Sequence, residues 1–326
     1  MILDAVIPDA EVSVAHFPLS RSLRSCRTPR RIGVVAALAL AIPLAAATPA
    51  MAQPSSGGLQ SYVALGDSYT SGPLIPVQRG LPPGCLRSNR NYPSLIAQTF
   101  GVPDFRDVSC NGATTTDLSD PQRVTLGVNP PQFDALDEDV ELVSLGIGGN
   151  DIGFGQIINN CAKRSPRKPA GAACQDFYTS GGTDQLAERI DATAPKIAAA
   201  LAEIERRSPD AQVLLVGYPA ILPDEGPGCF PLVPFSPGDV AYLRDTEKRL
   251  NAMLADEADD ADADYVDTYD PTIGHDICQR PGRRWIEGLV PTSPAAPLHP
   301  NALGMTAIAG AVGEVLVDEV GLTPAA

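Results

Sequence analysis

Short apolar runs that end in glycine or small polar residues recur along this chain, and stretches of helical spacing separate them. The first run, Tyr62-Val63-Ala64-Leu65, passes directly into Gly66-Asp67-Ser68-Tyr69. Residues 104–109 predict a second strand ending at Cys110-Asn111-Gly112-Ala113, and residues 140–145 a third ending at Gly146-Ile147-Gly148-Gly149-Asn150-Asp151. Residues 212–217 and 265–268 predict two more. Helical spacing covers 92–100, 184–207, 239–259 and 301–320, the last opened by Pro300 and Asn301. The segments 72–90, 161–182 and 219–237 are rich in glycine and proline and read as surface loops.

Strands that alternate with helices of 10 to 20 residues imply βαβ units and a parallel sheet. No repeat or linker divides the pattern. The expectation is one α/β domain, a three-layer α/β/α sandwich over residues 53–326 with a central parallel sheet. Such sheets place their chemistry beyond the carboxyl ends of the strands, where Ser68, Gly112 and Asn150 are all predicted to lie. Taken alone, Gly66-Asp67-Ser68 also fits an ordinary polar turn.

The amino-terminal 52 residues have a different character. Five arginines between Arg21 and Arg31 precede an apolar run over 32–47, and Ala50-Met51-Ala52 is a small-x-small cleavage sequence. This reads as a secretory signal peptide cleaved after Ala52, with residues 1–20 an over-long start. The run is short and rich in alanine, so no stable membrane span is expected after cleavage. Without the five arginines and three acids of that segment, 19 basic side chains face 36 acidic ones, a net charge of −17. So acidic a surface argues against nucleic acid as a partner and favours solubility; the mature chain is expected to be monomeric.

Six cysteines remain in the mature chain, Cys85, Cys110, Cys161, Cys174, Cys229 and Cys278. In an exported protein an even set reads as three disulfides, and spacing alone does not choose among the possible pairings. The competing zinc reading, built on His275-x-x-Cys278, lacks a C-x-x-C partner, so no metal is expected.

A serine nucleophile needs a base that titrates near neutrality, and the mature chain has only two histidines. His299, in Pro297-Leu298-His299-Pro300-Asn301, would be held in the loop before the last helix. His275, in Ile273-Gly274-His275-Asp276-Ile277-Cys278, lies beside a cysteine and reads as a structural or rim residue. There is no Gly-x-Ser-x-Gly elbow, no Walker A sequence and no dinucleotide fingerprint. No cofactor is implied.

The set Gly66-Asp67-Ser68, Gly112, Gly148-Gly149-Asn150-Asp151 and His299 resembles, in order, the blocks of the SGNH (GDSL) hydrolase superfamily. Val63-Ala64-Leu65-Gly66-Asp67-Ser68-Tyr69, Cys110-Asn111-Gly112-Ala113 and Gly274-His275-x-x-Cys278 are similar to its secreted actinobacterial lipases, esterases and phospholipases with three disulfides. The resemblance implies a flavodoxin-like SGNH fold with Ser68 as nucleophile and His299 as base. It implies an oxyanion hole formed by the Ser68 and Gly112 amides and the Asn150 side chain, and the pairing Cys85–Cys110, Cys161–Cys174 and Cys229–Cys278. Asp151 reads as a helix cap.

The family's last block usually carries an aspartate three residues before the histidine, and here that position is Ala296. Some secreted relatives use a main-chain carbonyl instead, and the expectation is that the carbonyl of Ala296 accepts the His299 Nδ1 hydrogen. Asp270, Asp276 and Glu287 are the carboxylates that could act instead. The resemblance implies hydrolysis of carboxylic esters, with lipid or other fatty-acyl esters as the first substrate class. The alternatives are a carbohydrate or small-molecule acetyl esterase on the same site, and a secreted binding protein without catalysis. With 5% aromatic residues the chain offers no obvious platform for stacking sugars.

Overall fold

The computed structural model describes residues 58–325. The expected signal peptide and its cleavage point after Ala52 lie outside the described residues. Five parallel strands form the central sheet: β1 (Ser61–Gly66), β2 (Asp104–Asp107), β3 (Leu142–Gly146), β4 (Gln212–Val216) and β5 (Asp264–Val266). Their spatial order is β2-β1-β3-β4-β5. The chain therefore reverses its direction of winding between β1 and β3. In this doubly wound order the crevice outside the strand ends at that switch point is where ligands bind.

Strand β1 is buried along its whole length and alternates between two cores. Tyr62 and Ala64 face a core shared with Leu142, Leu214 and Val266, covered by helices α1 (Tyr92–Thr99) and α5 (Ala302–Asp318). Val63 and Leu65 face the opposite core with Val143, Leu145 and Leu215. That side is covered by α2 (Phe154–Arg164), α3 (Gln185–Arg207) and α4 (Pro237–Asp260). The period of two in the strand thus dictates the three layers.

The long helices form where apolar spacing and caps coincide. In α3, Leu186, Ile190, Ile197, Leu201 and Ile204 make one buried stripe, and the Asp184 carboxylate accepts from the amides of Leu186 and Ala187 at 2.9 and 3.3 Å. In α5 the Asn301 side chain accepts from Leu303 and Gly304 at 3.0 and 3.2 Å. A side-chain cap of this kind typically adds about 1 kcal/mol. Here it also fixes where the loop holding His299 must end.

The segment expected to be a loop over 161–182 differs. It contains the carboxyl half of α2 and a short helix, Ala173–Tyr178. Packing overrides local propensity: Ile157, Cys161, Cys174 and Tyr178 are all buried in the core against α3 and α4. The three disulfides join Cys85 to Cys110, Cys161 to Cys174, and Cys229 to Cys278. Each clips together loops or helices on the side of the molecule where the strands end. Closures of this kind typically contribute about 2–4 kcal/mol each.

Candidate active site

Gly66 ends β1 with a φ of +146°, and a Cβ there would collide with Thr70 and the carbonyl of Gly146. Only glycine permits this turn. Its peptide is satisfied on both sides by one buried side chain: Gln132 Oε1 accepts from the Gly66 amide at 2.7 Å and Gln132 Nε2 donates to its carbonyl at 2.9 Å. Asp67 then caps a single helical turn, Ser68–Ser71, by accepting from the Tyr69 amide at 2.8 Å. The sharp turn leaves the Ser68 hydroxyl above the end of β1.

His299 arrives from the other side of the crevice. Its Nε2 lies 2.7 Å from Ser68 Oγ. Its Nδ1 lies 2.7 Å from the carbonyl of Pro297. The expected acceptor, Ala296, is therefore corrected by one residue. The Ala296 carbonyl is already used by the His299 amide at 3.2 Å, closing a turn with proline second and Leu298 third at a φ of +63°. With the outer carbonyl committed to the turn, the Pro297 carbonyl is the one that meets the ring.

None of the three candidate carboxylates touches His299. Glu287 Oε1 accepts from Asn301 Nδ2 at 2.8 Å and Glu287 Oε2 from the Thr292 amide at 2.7 Å. Asp276 caps the amide of Cys278 at 2.8 Å, and Asp270 is exposed. The imidazole is positioned by apolar contact as well. Tyr69 lies against it with ring centres 4.9 Å apart, and the Tyr69 hydroxyl donates to the Leu298 carbonyl at 2.6 Å. Burial lowers the His299 pKa below its ordinary value, against the pull of the Pro297 carbonyl. The ring is thus neutral at pH 7, as a proton acceptor must be.

The segments that carry Gly112 and Asn150 follow the ends of β2 and β3 and are bonded to each other. Asn150 Nδ2 donates to the Ala113 carbonyl at 2.9 Å, tying the loop after β3 to the loop after β2 and leaving its second amide hydrogen free for another acceptor. Gly112, at a φ of +77°, belongs to that second loop. Asp151 is not a helix cap: α2 begins after Gly153. Its carboxylate accepts from the Thr115 amide at 3.0 Å, so it straps the same two loops together. His275 stacks on Trp285 at 3.5 Å between ring centres, and its Nδ1 lies 2.7 Å from the Arg283 carbonyl. Cys278, the thiol of the zinc alternative, is bound to Cys229.

From Ser68 an apolar cleft runs between α2 and α4, enclosing about 700 Å³ of empty space, its open mouth included. Ile152, Phe154, Ile157, Leu222, Phe235 and Leu250 are among its walls. Besides Asp67, a second carboxyl lines the cleft, Glu247. Burial pushes it well above the usual carboxylate range, and it accepts from the Ile221 amide at 3.2 Å.

A buried serine hydroxyl bonded to an imidazole at a topological switch point is an arrangement that can carry out acyl transfer. Residues 64–307 match the model of the GDSL-like Lipase/Acylhydrolase family. The chain belongs to this family. Among its relatives, this acylhydrolase is 38% identical over 286 residues to Lipase 2 of Streptomyces coelicolor, an alignment covering 86% of this chain and 92% of the relative. Its fold is similar to that of phospholipase A1 from Streptomyces albidoflavus, with a TM-score of 0.66, 26% identity and coverage of 78% and 99% of the two chains. It is likewise similar to an extracellular lipase of Streptomyces rimosus, with a TM-score of 0.63, 26% identity and the same coverages. Like these lipases and esterases, this acylhydrolase is a carboxylic ester hydrolase.

Sequence reasoning did not single out Tyr218, Gln132 or Tyr69. Tyr218 follows the end of β4, so the strand-end rule that identified Ser68 applies to it too. Nothing in the sequence marks Gln132, which lies in a short helical turn away from the ends of the central sheet's strands.

Proposed function

We propose that this acylhydrolase is a secreted serine enzyme that cleaves fatty-acyl esters, including phospholipids, through an acyl-enzyme on Ser68. His299 takes the Ser68 proton as the hydroxyl attacks the ester carbonyl, and the tetrahedral oxyanion is held by the amides of Ser68 and Gly112 and by Asn150 Nδ2. His299 then returns the proton to the leaving alcohol, and a water molecule repeats the sequence to release the acid. The Pro297 carbonyl holds the imidazole in the tautomer that accepts at Nε2. No metal or organic cofactor takes part in this scheme.

The observation that carries the substrate class is the cleft. The cleft opens beside the nucleophile and continues between α2 and α4 as a wall of aliphatic and aromatic side chains, a surface that suits an acyl chain and offers a short acetyl group little to recognise. The lipase and phospholipase A1 names of the similar proteins point the same way. Three disulfides support export, with a leader over 1–52 and a mature, monomeric hydrolase over 53–326. The test is an ester panel from acetyl to palmitoyl, plus a phosphatidylcholine, with the mature protein and Ser68→Ala. Serine-dependent turnover that rises from acetyl to medium and long chains is expected. A sharp preference for acetyl would move the assignment to an acetyl esterase, and a folded protein inert on every ester and toward a fluorophosphonate would leave a binding protein.

A further inference from the structure

Two of the elements that make up the site are joined by a single phenol. Tyr218, buried at the end of β4, accepts from the Gly149 amide at 2.8 Å and donates to Asp67 Oδ2 at 2.7 Å. The other oxygen of Asp67 caps the turn that carries Ser68. The residue after Gly149 is Asn150. We propose that Tyr218 and Asp67 are positioning residues that hold the Asn150 loop in register with the nucleophile, so that the oxyanion donors and Ser68 move as one unit. This rests on the reading of Asn150 as an oxyanion donor.

The phenol itself has little freedom. Asn251 on α4 accepts from the Tyr218 amide and donates to its carbonyl, both at 2.8 Å, and the Tyr69 ring meets the Tyr218 ring edge-on at 5.1 Å. A Cβ at Gly149 would sit 3.0 Å from the hydroxyl, so any side chain there would press on the phenol. Asp67 is almost wholly buried, and among the described residues it pairs with no cation. Burial pushes it up to about 7. A carboxyl buried without a cation is costly even when hydrogen-bonded, and this one stands directly beside the nucleophile. Neither of its oxygens is bonded to Ser68 Oγ or His299, so it is not the base. What both oxygens do is hold backbone and phenol on either side of the reaction centre.

Misplacement of a donor by about 1 Å can cost on the order of 10²-fold in rate. A double-mutant cycle between Tyr218→Phe and Asn150→Ala reads the coupling directly. In the wild-type background Tyr218→Phe is expected to lower kcat about 10- to 100-fold with KM changed less than about 3-fold. In the Asn150→Ala background the same change is expected to cost less than about 3-fold, because the donor it positions is already gone. Equal cost in both backgrounds, or no cost in the wild type, would overturn the proposal. If Asn150→Ala itself leaves kcat unchanged, the oxyanion reading fails and the positioning role falls with it. Should Tyr218→Phe not fold, Asp67→Ala enters the same cycle, with the same non-additivity expected.

Discussion

The segments around His275 and His299 are near copies in local chemistry. Both histidines lie in loops after β5, both have Nδ1 2.7 Å from a backbone carbonyl, and both rings rest against an aromatic side chain, Trp285 and Tyr69. They are even linked through the same stretch of backbone. The Trp285 amide donates to the His275 carbonyl, the Asn301 amide to the Trp285 carbonyl, and the Glu287 amide to the His299 carbonyl. The difference lies at the other nitrogen. Only His299 presents Nε2 to a hydroxyl at a strand end. Orientation by a carbonyl is therefore a common device for holding an imidazole, and chemistry follows from what the free nitrogen faces.

The sharpest way to break this comparison is to remove each ring in turn. His299→Ala is expected to lower kcat about 10⁴-fold or more, as loss of a base acting with its nucleophile does. His275→Ala is expected to leave kcat within about 3-fold and to lower the melting temperature by a few degrees, because a stacked ring and one hydrogen bond are lost. Steady-state kinetics and thermal melting on both variants decide it. Comparable losses of activity would mean that His275 belongs to the reaction.

A smaller effect sharpens the same point. The neutral imidazole is the active form, and burial lowers the His299 pKa from its ordinary 6.5. In the proposed scheme the rate therefore declines on the acid side as the ring takes up its proton. The midpoint of the acid limb of kcat/KM is thus expected below 6.5. Asp67→Asn is expected to reduce the height of the profile and leave that midpoint in place, which assigns the limb to the histidine. A midpoint that follows Asp67 instead would put a carboxyl in control of the rate.

Much of the layered fold was legible because period and punctuation agree in this chain. Strands β1, β3 and β4 are short apolar runs that end in or before glycine, and α3 and α5 begin at Asp184 and Asn301, residues whose side chains cap. Helix α2 was not read from the sequence. Its sequence, with Gly155, Asn159 and Asn160, has weak intrinsic preference, and it is helical because Ile157 and Cys161 are buried against α3 and α4. Ser68 and His299 stood out as a strand-end hydroxyl and a loop imidazole, whereas Gly112 and Asn150 stood out only through the resemblance of their segments to the family's ordered blocks. The Pro297 carbonyl did not, since it depends on Leu298 taking a left-handed conformation that leucine rarely adopts. The Tyr218 link was hidden for a different reason: it joins residues 151 positions apart, through a hydroxyl that sequence pattern treats as part of an apolar core.

The central claim is that Ser68 and His299 work as a pair, with a peptide carbonyl in place of a carboxylate. The most direct test is kcat for Asp270→Asn, Asp276→Asn and Glu287→Gln, each measured on the folded enzyme beside His299→Ala. All three amides are expected to stay within about 10-fold of the wild type, while His299→Ala falls by about 10⁴-fold or more. If any one of the three falls as far as His299→Ala, a carboxylate orients the histidine and the dyad account is wrong.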